Sequence, residues 1–94
     1  DLRESDVAQD VMLKMDSGAE AIEGIVHANE YTSELFGNPV TDISMPEGAA
    51  ITAIVRHDKV LMPSEEIKLQ INDHLIVFLT DRSKVKELEL LFKN

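Results

Sequence analysis

Three histidines, His27, His57 and His74, and the adjacent acids Glu65 and Glu66 are the side chains from which acid–base or metal chemistry would have to be built. No histidine stands in an HExxH or His-x-His arrangement, so the spacing provides no metal centre. Glu65 and Glu66, on an extended segment, point to opposite sides and cannot converge on one substrate atom. Serines are present, but no GxSxG turn exists to raise one as a nucleophile. The chain has no cysteine, which removes thiol chemistry, thiolate metal sites and disulfides together. Its four glycines, Gly18, Gly24, Gly37 and Gly48, fit neither GxGxxG nor GxxxxGK[ST] spacing, so no loop is built to cradle phosphates. The residues give no catalytic, cofactor-binding or metal-binding constellation, and the chain reads as a non-enzyme.

What remains is recognition. Arg56 ends an otherwise apolar run beside His57 and Asp58, at a rim where a guanidinium can grip an anion or a partner's carboxylate. The alternative is a rim salt bridge from Arg56 to Asp58 or Glu65. The four methionines, Met12, Met15, Met45 and Met62, read as core packing or as an adaptable surface. His27 falls on the polar side of its segment, His57 at a turn tip and His74 beside Asp73, where a turn hydrogen bond accounts for it.

The formal net charge of −9 is carried by residues 1–50, which hold eleven acids and two bases; residues 51–94 hold seven of each. The acidic half is either a solvated face that keeps the domain soluble or a surface that selects a basic partner. Nucleic acid is excluded as a partner, since phosphate binding needs basic patches and only four aromatic residues are available for stacking. With 94 residues and 44% hydrophobic composition, one small globular domain is expected. The longest apolar run, Leu75–Leu79, falls far short of the ~20 residues that cross a bilayer. The opening Asp1 reads as an excision point, with residues 1–6 as linker remnant and residues 7–94 as the domain.

The elements follow from period and punctuation. Val7–Met15 is ambiguous between helix and strand, with its second half favouring a strand, and Asp16–Ser17–Gly18 reads as a turn. Ala21–Ala28 alternates as a half-buried strand with Ile22, Gly24, Val26 and Ala28 on one face. Thr32 or Ser33 is expected to cap a short helix that Gly37 closes. Ile51–Arg56 and Lys59–Met62 form a hairpin about His57–Asp58, and Pro63 ends it. Asn72–Asp73 turns the chain into Leu75–Thr80, a strand apolar on both faces and hence central. Asp81 or Ser83 caps a last helix with Val85, Leu88 and Leu91 or Phe92 inward. The expected fold is α+β: a small mixed or antiparallel sheet of about five short strands with one short and one C-terminal helix.

From Leu35 to Phe92 the order of short motifs resembles the TrkA-C (RCK-C) domain, the C-terminal half of the regulatory module of bacterial potassium transport systems. The resemblance is carried by Leu35–Phe36–Gly37–Asn38–Pro39, Met45–Pro46–Glu47–Gly48, Ile51–Arg56, Val60–Pro63 and Asn72–Asp73 leading into Leu75–Phe78. Ala19–Glu23 looks most like the second such domain of a Trk-type peripheral subunit. His57–Asp58 and Asn72 stand where the family often places glycine, and both tolerate positive φ. The resemblance implies a cytoplasmic regulatory, ligand-sensing domain, peripheral at the inner face of the cell membrane. It would form a homodimer and work with an upstream nucleotide-binding domain and a transmembrane potassium-transport subunit. NAD or ATP would bind the upstream domain, leaving no cofactor in this piece. Some members bind a small nucleotide messenger at the dimer interface, which makes Ile54, Arg56, His57 and Pro63 ligand or interface candidates here. The same module also occurs on cation–proton antiporters and anion transporters, which is the alternative setting.

Overall fold

A computed structural model describes residues 19–94 in full and residues 7–14 by their backbone. Five strands form one sheet: β1 (Val7–Lys14), β2 (Glu20–Ile25), β3 (Ala49–Arg56), β4 (Lys59–Leu61) and β5 (His74–Leu79). Their order across the sheet is β1-β2-β5-β3-β4, and every neighbouring pair is antiparallel. The choice between mixed and antiparallel thus resolves to antiparallel. The ambiguous first segment is strand throughout Val7–Lys14, whereas the expected turn at Asp16–Gly18 and the linker 1–6 lie outside the described residues.

β5 is the middle strand, as its doubly apolar sequence requires. It pairs with β2 through Glu20↔Leu79 to Ile25↔His74 and with β3 through Ala49↔Leu79 to Val55↔His74. A bulge at Thr52 interrupts the second ladder, and the Thr52 hydroxyl donates to the Ile76 carbonyl at 3.1 Å. Alternation then sorts the sheet into two faces. Ile22, Ile54, Leu75, Val77 and Leu79 point inward and are buried against Leu88, Leu91 and Phe92 of the last helix, α2 (Val85–Phe92). Phe92 lies over β2 at Gly24: a Cβ there would stand 2.6 Å from the ring. Only the absence of a side chain at position 24 lets the helix sit this close.

The β3–β4 hairpin closes through His57 (φ 51°) and Asp58 (φ 65°), two consecutive left-handed residues that match the twist of the strands they join. Asn72 (φ 72°) performs the corresponding turn before β5. At all three positions the residues expected to replace glycine adopt the conformation glycine would. Asp81 caps a short 3-10 turn at Arg82–Lys84 that runs into α2. Its carboxylate accepts from the Ser83 amide and hydroxyl at 3.0 and 2.7 Å, and these bonds hold it below the usual carboxylate range.

Two local expectations are corrected. β2 stops at Ile25, and Ala28 is exposed rather than part of the inward stripe, because Val26 leaves the ladder to bond with the Asn72–Asp73 turn. The short helix α1 (Glu30–Ser33) begins at Asn29, not at Thr32 or Ser33. Asn29 Oδ1 accepts from the Thr32 amide at 2.8 Å, Thr32 Oγ1 accepts from the Asn29 amide at 2.9 Å, and the Thr32 hydroxyl donates to the His27 carbonyl at 2.6 Å. Thr32 is the inner member of a capping box and is fully buried. Asn29 Nδ2 also donates to the Leu90 and Lys93 carbonyls at 3.0 and 2.8 Å, joining the start of α1 to the end of α2. Asn29→Ala removes both roles and is expected to lower stability by about 1–2 kcal/mol. Asn29→Asp, which keeps the cap and loses the donors, should recover part of that in urea titration.

Candidate functional site

The sequence points to the end of β3, and the structure shows what Arg56 does there. Its Nε donates to Asp73 Oδ1 at 2.8 Å and its Nη2 to Asp73 Oδ2 at 2.9 Å. Nη2 also donates to the Lys68 carbonyl at 2.7 Å. Asp73 is 1% exposed and accepts a third bond, from the Gln70 amide at 2.9 Å. The backbone carbonyl of Asp73 accepts from Val26 at 2.9 Å, and the Asn72 amide donates to the Val26 carbonyl at 2.8 Å. One fork-to-carboxylate pair therefore fastens the hairpin, the 68–73 loop and the end of β2 at a single corner. The Asp73 hydrogen bonds raise the guanidinium above its usual pKa, against the opposing effect of burial. The partner expected for a rim salt bridge, Asp58 or Glu65, is replaced by Asp73. A strand entrance 17 residues away comes alongside Arg56 only because β5 pairs with β3.

The other candidates lie in different surroundings. Ile54, two residues back on the same face, is fully buried opposite Leu75. His57 is exposed in the turn. Pro63 is half-buried on an apolar groove of about 260 Å³ shared with Ile43, Met45 and Ile51. Ile54, Arg56 and His57 thus follow one another along β3 and its turn, and Pro63 lies just past β4. A larger cavity of about 380 Å³ lies between Asn29–Tyr31 and Leu90–Asn94 and shares no lining residue with the Arg56 corner. Met45 packs against the core and Met62 is 68% exposed, while Met12 and Met15 lie outside the residues whose side chains are described. Glu65 and Glu66 are exposed in a turn. Among the described residues, no group of three or more His, Asp or Glu is placed to hold a metal ion. No helix among them is long and apolar enough to cross a membrane.

The feature that sequence reading missed is the outer face of the sheet. Register and alternation place Glu23 and Ile25 of β2, His74, Ile76 and Phe78 of β5, Val55 of β3 and Val60 of β4 on the side away from α2. Phe78 is 40% and Val60 66% exposed. His74 Nδ1 lies 2.7 Å from Glu23 Oε2, a cross-strand bond in place of the local turn bond expected with Asp73. The alternation of Leu75–Phe78 was the available signal, since a central strand apolar on both sides needs cover on both sides.

The described residues form a two-layer domain, with one sheet face packed under α2 and the hairpin braced by the Arg56–Asp73 pair. The chain belongs to the TrkA-C domain family, whose model matches residues 30–93. It is 39% identical over 75 residues to a Trk system potassium uptake protein TrkA of Vibrio alginolyticus, covering 80% of this chain and 16% of that protein. It is 36% identical to the protein of the same description from Halomonas elongata, with the same coverage. A TrkA homolog 2 of Methanosarcina mazei is 34% identical over 97% of this chain and 22% of its own length. The chain thus spans about a sixth to a fifth of these relatives. In three dimensions it is similar to a solved RCK domain described with cda, at a TM-score of 0.62 and 16% identity, covering 78% of this chain and 97% of that one. That likeness is one of fold.

Proposed function

We propose that this chain is the regulatory, ligand-sensing and dimerisation domain of a Trk-type potassium-uptake system, and that it acts by packing against neighbours rather than by catalysis. Membership of the TrkA-C family and the names of its relatives support the potassium-uptake setting. The single observation that supports the mode of action is the open apolar sheet face, formed by Ile25, Ile76, Phe78, Val55 and Val60. Burying such a face against a second subunit is favourable in proportion to the apolar area removed from water. Gating would follow as a population shift: a ligand that prefers one arrangement of the paired domains raises its share, and the transmembrane potassium-transport subunit responds. In this reading NAD or ATP binds a separate upstream domain, and the assembly sits in the cytoplasm at the inner face of the membrane. Attachment of the same module to a cation–proton antiporter or anion transporter is the second setting. The parent sequence upstream distinguishes the two: GxGxxG there favours the potassium subunit, and membrane-spanning runs favour the transporter.

The test is self-association of the 94-residue chain. Sedimentation equilibrium over about a hundredfold range of concentration should give a weight-average mass that rises from monomer to dimer. A mass fixed at monomer across that range overturns the dimerisation reading.

A further inference from the structure

We propose that the cleft between α1 and the end of α2 binds a small zwitterion, a short aliphatic chain with an ammonium at one end and a carboxylate at the other. The inference deepens the ligand-sensing part of the reading above and rests on it, adding a place and a ligand class. The cleft holds about 380 Å³, inside the range of about 300–1,000 Å³ that small-molecule sites occupy. Its two walls carry opposite charges. Glu30 lines it from α1 together with Tyr31, and Lys93 lines it from the end of α2 together with Leu90. Among the described residues, the Glu30 carboxylate, the Tyr31 hydroxyl and the Lys93 ammonium have no hydrogen-bond or ion-pair partner. Glu30 and Lys93 line one space without neutralising each other.

The backbone under both walls is fixed before any ligand arrives. Asn29 also lines the cleft, and its Nδ2 donates to the Leu90 and Lys93 carbonyls at 3.0 and 2.8 Å. Those two bonds set the spacing between the start of α1 and the end of α2. Asn29 Oδ1 accepts from the Thr32 amide at 2.8 Å, which shapes the first turn of α1 and with it the positions of Glu30 and Tyr31. On the opposite wall the Lys93 amide donates to the Glu89 carbonyl at 3.0 Å and closes the last turn of α2. Only side chains remain to be ordered on binding, which lowers its entropic cost.

Charge selects the ligand class. An anion drawn to Lys93 meets the Glu30 carboxylate as well, and a cation drawn to Glu30 meets the Lys93 ammonium. In either case the like charge opposes the gain. A molecule carrying both charges satisfies both walls: its ammonium donates to Glu30 and its carboxylate accepts from Lys93, each through a charge-assisted bond. Tyr31, 36% exposed, adds a ring face on the wall where the ammonium lies. Leu90, 48% exposed, gives methylene groups between the two charges a surface on which to lose water. Because Glu30 and Lys93 do not pair directly, the ligand's spacer has to cross the gap between them. That requirement favours an ω-amino acid over glycine.

The experiment is a titration of the isotope-labelled 94-residue chain at fixed pH and ionic strength, followed through its amide chemical shifts by NMR. The probes are glycine, γ-aminobutyrate and ε-aminocaproate, with butylamine and butyrate as single-charge controls. One of the two longer zwitterions is expected to shift the amides of residues 29–31 and 93–94 with a Kd of about 1 mM, as suits a small ligand in an open cleft. Glycine, butylamine and butyrate should each bind at least about tenfold more weakly. Glu30→Gln and Lys93→Gln, both at exposed positions, should each weaken the zwitterion about tenfold while the circular dichroism spectrum stays native. Glu65→Gln, in an exposed turn that does not line the cleft, should leave the Kd unchanged. That control separates the site from the general pull of an acidic chain on amines. Three results overturn the inference: no shifts at these residues up to about 50 mM, equal shifts with butylamine, or binding that survives Glu30→Gln combined with Lys93→Gln. None of the three alters the self-association result. Conversely, a chain that binds the zwitterion but stays monomeric overturns the dimerisation reading and leaves this site standing.

Discussion

Asp73→Ala and Arg56→Ala are each expected to destabilise the chain by about 3–5 kcal/mol, a large share of what a domain of this size possesses. Arg56→Ala is the sharper of the two. It leaves a carboxylate that is 1% exposed with only the Gln70 amide as donor, and it frees the Lys68 carbonyl as well. Asp73→Ala leaves the guanidinium 19% exposed and better able to recover water, so its cost should fall at the lower end of the range. The cost measures an unpaired buried charge rather than the worth of the pair. The double variant Arg56→Met with Asp73→Leu should therefore recover most of the loss. Urea unfolding of the three variants decides the matter. If Arg56→Ala unfolds with the wild-type midpoint, the corner is not a structural brace, and Arg56 is available to a ligand instead.

Phe92→Ala is expected to cost about 3–5 kcal/mol, since it empties a fully buried ring site at the junction of α2 and β2. The reciprocal change, Gly24→Ala, adds a Cβ that would meet three ring carbons at 2.6–2.7 Å and is expected to cost about 1–3 kcal/mol through overpacking. The two sites share one volume, so their effects should not add. Gly24→Ala combined with Phe92→Leu is expected to be more stable than Gly24→Ala alone, because the smaller side chain makes room for the methyl group. Additive losses in thermal unfolding would show that the helix slides along β2 instead of being held by this contact.

The elements legible in the sequence are those fixed by neighbours in the chain. The hairpin at His57–Asp58 and the turn at Asn72 follow from residue types that accept positive φ, and both are present. The central place of Leu75–Leu79 follows from apolar residues on both sides of a strand. The stripe Leu88, Leu91 and Phe92 follows from helical spacing. The short helix is capped at Asn29, three or four residues before the expected Thr32 or Ser33. The choice falls to Asn29 through bonds to Leu90 and Lys93, more than sixty residues away. Arg56 shows the same limit: its position at a strand end was readable, but its partner was not.

Sequence alone determined that this chain carries no cysteine, no GxSxG and no glycine-rich phosphate motif, and it determined the ordered motifs of the family and most of the strands, since each is a property of residue type or short spacing. Tertiary structure alone decided the strand order, the pairing of Arg56 with Asp73, the closeness of Phe92 to Gly24 and the presence of Glu23 and His74 together on the open face. Those four depend on which distant strands lie side by side, and side-chain period states only which way a residue points, never what it will meet.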